Sequence, residues 1–320
     1  MACGCLHACG ISGLHRQTHS VRLASAEIDR GSLTALRKFA MRATVFVAIV
    51  MLLLAHSAAF SESAPPQPAA DKKELERLPG LYRVAGRGGD VCSVYCVLTP
   101  EPVLIDCGSR VGWNQLTGNL KLLGLSPGDI RWVIATHGHW DHMDAMALFQ
   151  KDFPSVKFAI HAGDAQFVIT DDRVFSCADP LYKGVESAPV RVDRILLDDD
   201  TLKVGNVEFR IVHTPGHTPG SIVIVTELQG KKIGFGGDSV GGYYSLMNRS
   251  STIDWENSLK KITALDLGWY CTGHGTDPVD SKDEIRAMIN EQMEAVASKR
   301  KKQESDEPYR GLVDEMKKGK

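Results

Sequence analysis

Short apolar runs of strand length alternate with amphipathic segments from about Leu78 to Pro278. "VCSVYCVL" (Val91–Leu98) and "PVLIDCG" (Pro102–Gly108) read as paired strands, being short, apolar and closed by Pro or Gly. "WNQLTGNLKLLG" (Trp113–Gly124) reads as a helix ended by Gly124. Further strands are expected at "RWVIAT" (Arg131–Thr136), "VKFAIH" (Val156–His161), "VEFRIV" (Val207–Val212), "SIVIVTE" (Ser221–Glu227), "KKIGFGG" (Lys231–Gly237) and "WYCTG" (Trp269–Gly273). Helices are expected through "MDAMALFQ" (Met143–Gln150) and "TIDWENSLKKITAL" (Thr252–Leu265), and Gly163 to about Val192 reads as a long irregular stretch. This order is that of an α/β protein, a layered sandwich with its helices outside.

On either side of this unit the pattern changes. "ATVFVAIVMLLLA" (Ala43–Ala55) follows Arg37, Lys38 and Arg42 and precedes the small residues Ser57, Ala58 and Ala59, the arrangement of a secretory signal peptide. It falls short of the roughly 20 apolar residues of a spanning helix. Export to the periplasm or medium without stable membrane insertion is therefore expected, with an uncleaved anchor as the alternative. Met41 reads as the true start. Residues 1–40 are then a leader outside the product, 41–59 the signal peptide, 60–77 a linker rich in Pro, Ala and charge, and 78–278 the folded domain. Residues 279–320 form a charged helical tail whose thin apolar stripe, Ile285, Met288 and Met293, is expected to dock as one surface helix.

Composition narrows the partners. With 43% hydrophobic and 24% charged residues the chain can build a core, and a net charge of −2 gives no field for nucleic acid or an anionic membrane. The expected partner is a small molecule. Of the eight cysteines, Cys3, Cys5 and Cys9 fall in the leader; Cys92, Cys96, Cys107, Cys177 and Cys271 remain. An odd number implies no complete disulfide framework, and they read as small buried hydrophobes.

The chemistry is concentrated in "ATHGHWDH" (Ala135–His142), which places His137, His139, Asp141 and His142 on one strand-to-helix loop. Crowded imidazoles repel when they are protonated, whereas neutral ones around a divalent cation are favoured. His137 and His139, two apart in an extended segment, point to the same side, and Asp141 and His142 follow as the chain turns, where they can serve a second ion. Three later segments supply more donors, each at a predicted strand end: His217 in "HTPGHTPGS", Asp238 in "GFGGDSV" and His274 in "CTGHG".

Together with "LIDCG" around Asp106 and the helix carrying Trp255, Ser258 and Leu259, these motifs stand in an order that resembles the metallo-β-lactamase-fold hydrolases over roughly residues 80–275. The resemblance implies a four-layer αββα sandwich with a two-metal site on one edge. It places His137, His139 and His217 around a first zinc, Asp141, His142 and His274 around a second, Asp238 between them, and Asp106 behind a ligand histidine. Nitrogen-rich, thiolate-free ligation suits two Zn2+ better than magnesium or calcium, with iron or manganese as alternatives. Met143, Asp144 and Ala145 depart from the glycines common in relatives at this point, so the packing under the helix start must differ. Trp140 is bulky and either packs beneath the site or walls the pocket. Tyr243 and Tyr244 are candidate substrate contacts; His213 is expected to be structural, and His161 to lie on the same edge without ligating.

The reaction this implies is attack by a metal-bridging hydroxide on the carbonyl of an ester, thioester, lactone or amide, β-lactams included, with Asp141 orienting the nucleophile and shuttling its proton. A bridging Asp238 resembles hydroxyacylglutathione hydrolases and lactonases, whereas export favours β-lactams over cytosolic thioesters, so the substrate class stays open. Two competing readings are a mononuclear iron dioxygenase on the same fold, resembling the persulfide dioxygenases, and a non-catalytic metal-binding module.

Overall fold

The computed structural model describes residues 71–86, 92–178, 188–275 and 277–305, all within the compact unit Pro68–Lys320. The leader, the signal peptide and most of the linker lie outside the described residues. Among the described residues the α-helices are α1 (Lys72–Leu75), α2 (Trp113–Leu122), α3 (Trp140–Met143), α4 (Met146–Asp152), α5 (Ala162–Ile169), α6 (Thr252–Ala264) and α7 (Lys282–Ser305).

One sheet holds β1 (Glu76–Leu78), β2 (Leu81–Ala85), β3 (Val94–Val97), β4 (Val103–Ile105), β5 (Trp132–Ile134), β6 (Lys157–His161) and β7 (Arg194–Leu196), side by side in chain order. Its first four strands run antiparallel and β4 to β7 run parallel. The other sheet holds β8 (Thr201–Val204), β9 (Val207–His213), β10 (Ile222–Leu228), β11 (Lys231–Gly237) and β12 (Trp269–Thr272), in the order 12-11-10-9-8. In it only the β11–β12 pair is parallel.

Alternation along the strands builds the layers. In β3, Tyr95 and Val97 face the second sheet, joining Phe209, Ile211, Ile222 and Ile224 in the central core, while Val94 and Cys96 pack outward against Leu116 and Leu120 of α2 and Phe149 of α4. In β10, Val223 and Val225 turn to the outer face, under Trp255 and Leu259 of α6 and Ile285 and Ile289 of α7. Helices thus cover both sheets, giving four layers in the order αββα. Both β2 and β3 are buried at every position; β3 is apolar throughout, whereas β2 carries the buried Arg83, whose guanidinium donates to the Gly86 carbonyl at 2.6 Å. All five described cysteines are buried and free.

The stretch Gly163–Val192, expected to be irregular, instead opens with the helix α5. No Ser, Thr or Asp stands at its N-cap: His161 caps it, Nδ1 accepting from the Gly163 N–H at 3.1 Å. The tail docks through α7 and reaches further than a surface helix needs to. The buried Gln292 carboxamide accepts from the Gly241 N–H and donates to the Gly242 carbonyl, each at 3.1 Å. Among the described residues no helix is long and apolar enough to cross a membrane.

His161 also stacks on His213, with ring centroids 3.9 Å apart and planes 19° from parallel. The His213 Nε2–H in turn donates to the Pro219 carbonyl at 2.8 Å. Burial, reinforced by the neighbouring His213, holds His161 down at about 4. An imidazole titrates near 6.5 when free, so between these values the unfolded chain binds more protons. Stability is expected to be full above about 6.5 and to be lost progressively as the pH falls toward 4. Urea unfolding at several pH values should show this slope in the native protein and a flatter one in His161→Asn, which keeps a capping acceptor.

Candidate metal centre

Seven donors converge at one edge of the sandwich, delivered by strand ends and the short helix α3. His137 and His139 follow β5, Asp141 and His142 sit in α3, His217 lies on the β9–β10 loop, and Asp238 and His274 follow β11 and β12. The backbone there is packed too closely for side chains to be added. A Cβ on Gly273 would collide with Asp238 Oδ1, and one on Gly237, whose φ is 47°, with the Thr136 hydroxyl.

His139 Nδ1 lies 3.0 Å from both His137 Nε2 and His217 Nε2, and Asp238 Oδ2 is 3.4 Å from His217 Nε2. Asp238 Oδ1 lies 3.5 Å from His142 Nε2 and from His274 Nε2. His142 Nε2 and His274 Nε2 are 3.2 Å apart, and Asp141 Oδ2 is 3.2 Å from His274 Nε2. The donors therefore form two groups, His137, His139, His217 and Asp238 on one side and Asp141, His142 and His274 on the other, with one oxygen of Asp238 facing each. Nitrogen ligands about 2.0–2.1 Å from a tetrahedral ion lie about 3.3 Å from one another, so the spacing fits cations. It does not fit a hydrogen-bond network, since one ring nitrogen cannot satisfy two others at once.

The outer nitrogens are engaged as well. Asp106 Oδ2 is 2.9 Å from His142 Nδ1, and Asp106 also accepts from the Thr136 N–H at 2.7 Å and from its hydroxyl. Thr136 Oγ1 is 3.1 Å from His137 Nδ1, and the Tyr243 carbonyl is 3.0 Å from His217 Nδ1. Cys177 Sγ stands 3.8 Å from His139 Nε2 and donates to Asn248 Oδ1 at 2.8 Å. Such partners fix ring orientation. The Thr136, Cys177 and Asn248 contacts carry no sequence signal.

Burial and the neighbouring imidazoles push His137 and His139 well below their ordinary range, and burial lowers His217, which favours the neutral form that binds a cation. Burial alone would raise Asp238; His142, His217 and His274 outweigh it and hold the carboxyl well down. Burial likewise disfavours the charged form of His142, but the carboxylates of Asp141, Asp106 and Asp238 raise it overall. Cys92, behind His142, is pushed by burial up to about 12 and stays a thiol.

The structure decides between the two readings of Trp140 and corrects Tyr244 as a substrate contact. Trp140 is only 2% exposed, packed against Cys177 and Ala178, so it supports the loop from beneath. Tyr244 turns away, its hydroxyl accepting from Gln303 Nε2 at 2.6 Å with Lys299 Nζ over its ring. Tyr243 stays at the site, 50% exposed, with its ring edge toward His217. Asp144, in place of a glycine, is buried and paired with Arg110 Nε at 3.3 Å, which accounts for the altered packing under α3.

A family model for the metallo-beta-lactamase superfamily matches residues 87–274. The chain belongs to that superfamily. It is 36% identical over 117 residues to a probable metallo-hydrolase of Burkholderia pseudomallei, covering 36% of each chain. It is 28% identical over 144 residues to a hydroxyacylglutathione hydrolase of Pseudoalteromonas translucida, covering 44% of this chain and 45% of that one. The chain spans about half or less of the length of the first curated relatives it matches. A motif mutant of a metallo-beta-lactamase from Cronobacter sakazakii aligns with a TM-score of 0.61 at 21% identity, over 72% of this chain and 98% of that chain, a likeness of fold.

Proposed function

We propose that the protein is an exported binuclear zinc hydrolase that attacks the carbonyl of an ester, thioester, lactone or amide, β-lactams included, in a small molecule and breaks its bond to the leaving O, S or N. One observation carries the reading: seven donors fall into two groups that share the two oxygens of Asp238. A single iron would use only one of these groups. The relatives named as hydrolases support hydrolysis, and the run Ala43–Ala55 supports export.

When bound, the two cations supply Lewis acidity and bring the pKa of water down from 15.7 toward about 7. The chain's own residues do the rest. His274, 42% exposed at its side chain, and Tyr243 mark the open side by which substrate arrives. The Tyr243 ring lines that side, its hydroxyl donating to Cys177 Sγ at 3.7 Å. Asp141 lies 3.2 Å from His274 Nε2 and is lowered by its imidazole neighbours against the effect of burial, so it stays an acceptor able to orient water and hold its proton. Trp140 and Phe175 are buried behind the histidine loop and exclude solvent from that side.

Elemental analysis should give two zinc ions per chain, alongside turnover of at least one of a cephalosporin, a lactone and a thioester, with a phosphoester as the control outside the proposed class. One iron per chain, or no turnover by zinc-loaded protein, would overturn the reading. Replacing Asp106 by Asn is expected to weaken metal binding about 10–100-fold through loss of its hold on His142, measured by competition with a chromogenic chelator.

A further inference from the structure

Asp164 lies outside every motif, yet it is fully buried in the first turn of α5. Its Oδ2 accepts from the Gly138 N–H at 2.8 Å and from the Thr218 hydroxyl at 2.7 Å, and its Oδ1 accepts from the Gly220 N–H at 2.6 Å. Gly138 stands between His137 and His139, and Thr218 follows His217. One carboxylate thus holds both loops that deliver the first group of donors.

We propose that Asp164 is a positioning residue that sets the distance between the His137/His139 pair and His217, and so the affinity of the first metal position. The proposal rests on the metal-binding reading above. The anchor is rigid for steric reasons: a Cβ on Gly220 would overlap Asp164, and a Cβ on Gly163 would strike the Pro219 carbonyl, so α5 and the His217 loop meet backbone to backbone. The donors also have fixed direction. Ser221 Oγ accepts from the Thr218 N–H at 3.0 Å and lies 2.8 Å from Thr218 Oγ1, so its proton goes to Thr218, whose own proton is committed to Asp164. Both carboxylate oxygens therefore face only donors. An asparagine of the same shape fails in either orientation, because its NH2 must meet a backbone N–H. With His139 Nδ1 held 3.0 Å from both His137 Nε2 and His217 Nε2, these donors take up an ion without reorganising the loops. The second group, Asp141, His142 and His274, is not tied to Asp164 by any of these bonds.

The test is competition with a chromogenic chelator on the full chain, resolving two zinc affinities, in the native protein, in Asp164→Asn and in Leu120→Ala, a buried trim in α2 that lowers stability without touching either loop. The expected result is a 10–100-fold loss in one affinity with the other held in Asp164→Asn, and no change in Leu120→Ala at a comparable loss of stability. Two native affinities retained in Asp164→Asn, or both lost equally in the two variants, would overturn the proposal and leave the metal reading standing. A native protein that binds no zinc would overturn both.

Discussion

Replacing Asp238 by Asn is expected to remove metal and hydrolysis together, with turnover falling about 10³-fold, the scale on which loss of one fixed electrostatic anchor of a transition state is read. The oxygens of Asp238 face both donor groups, Oδ1 toward His142 and His274 and Oδ2 toward His217. An amide offers a single acceptor, so its NH2 must point protons into one group and displace the ion there. Elemental analysis should find no more than one ion per chain, and steady-state rates should fall accordingly. Two ions and a native rate in this variant would remove Asp238 from the centre.

Exhaustive chelation is expected to abolish hydrolysis reversibly and to lower thermal stability, both restored by adding zinc. An ion held at a free concentration about 1,000 times its Kd stabilises the folded chain by about 4 kcal/mol. The metal-free protein should nevertheless stay folded, since the buried carboxylate of Asp238 retains three imidazole neighbours that favour its charge. A melting temperature unmoved by chelator, with full activity, would contradict metal dependence.

The ligands were legible in the sequence because each sits at a strand end flanked by glycine or a turn, and the residue types betray the chemistry. Asp164, Cys177 and Gln292 were not, because their partners are backbone atoms or buried side chains remote in sequence. The eight residues of α5 are too few for a helical period to show against loop-like surroundings. The strands β1, β2, β7 and β8 carry no clear signal because a charged residue (Arg77, Arg83, Arg194, Lys203) interrupts each apolar run, whereas β4 and β5, which are no longer, are apolar throughout. Tyr243 and Tyr244 could not be told apart by composition. Successive residues leave the chain in different directions, so one reaches the cleft while the other meets α7.

The grip of Gln292 on Gly241 and Gly242 ties the loop between Asp238 and Tyr243 to a helix that contributes no ligand. Shortening the polypeptide ahead of α7, or crowding that helix with a fusion partner, should therefore blunt turnover even while the two sheets remain assembled. Recombinant versions meant to report on chemistry need their last helix intact, with any purification handle kept well clear of it.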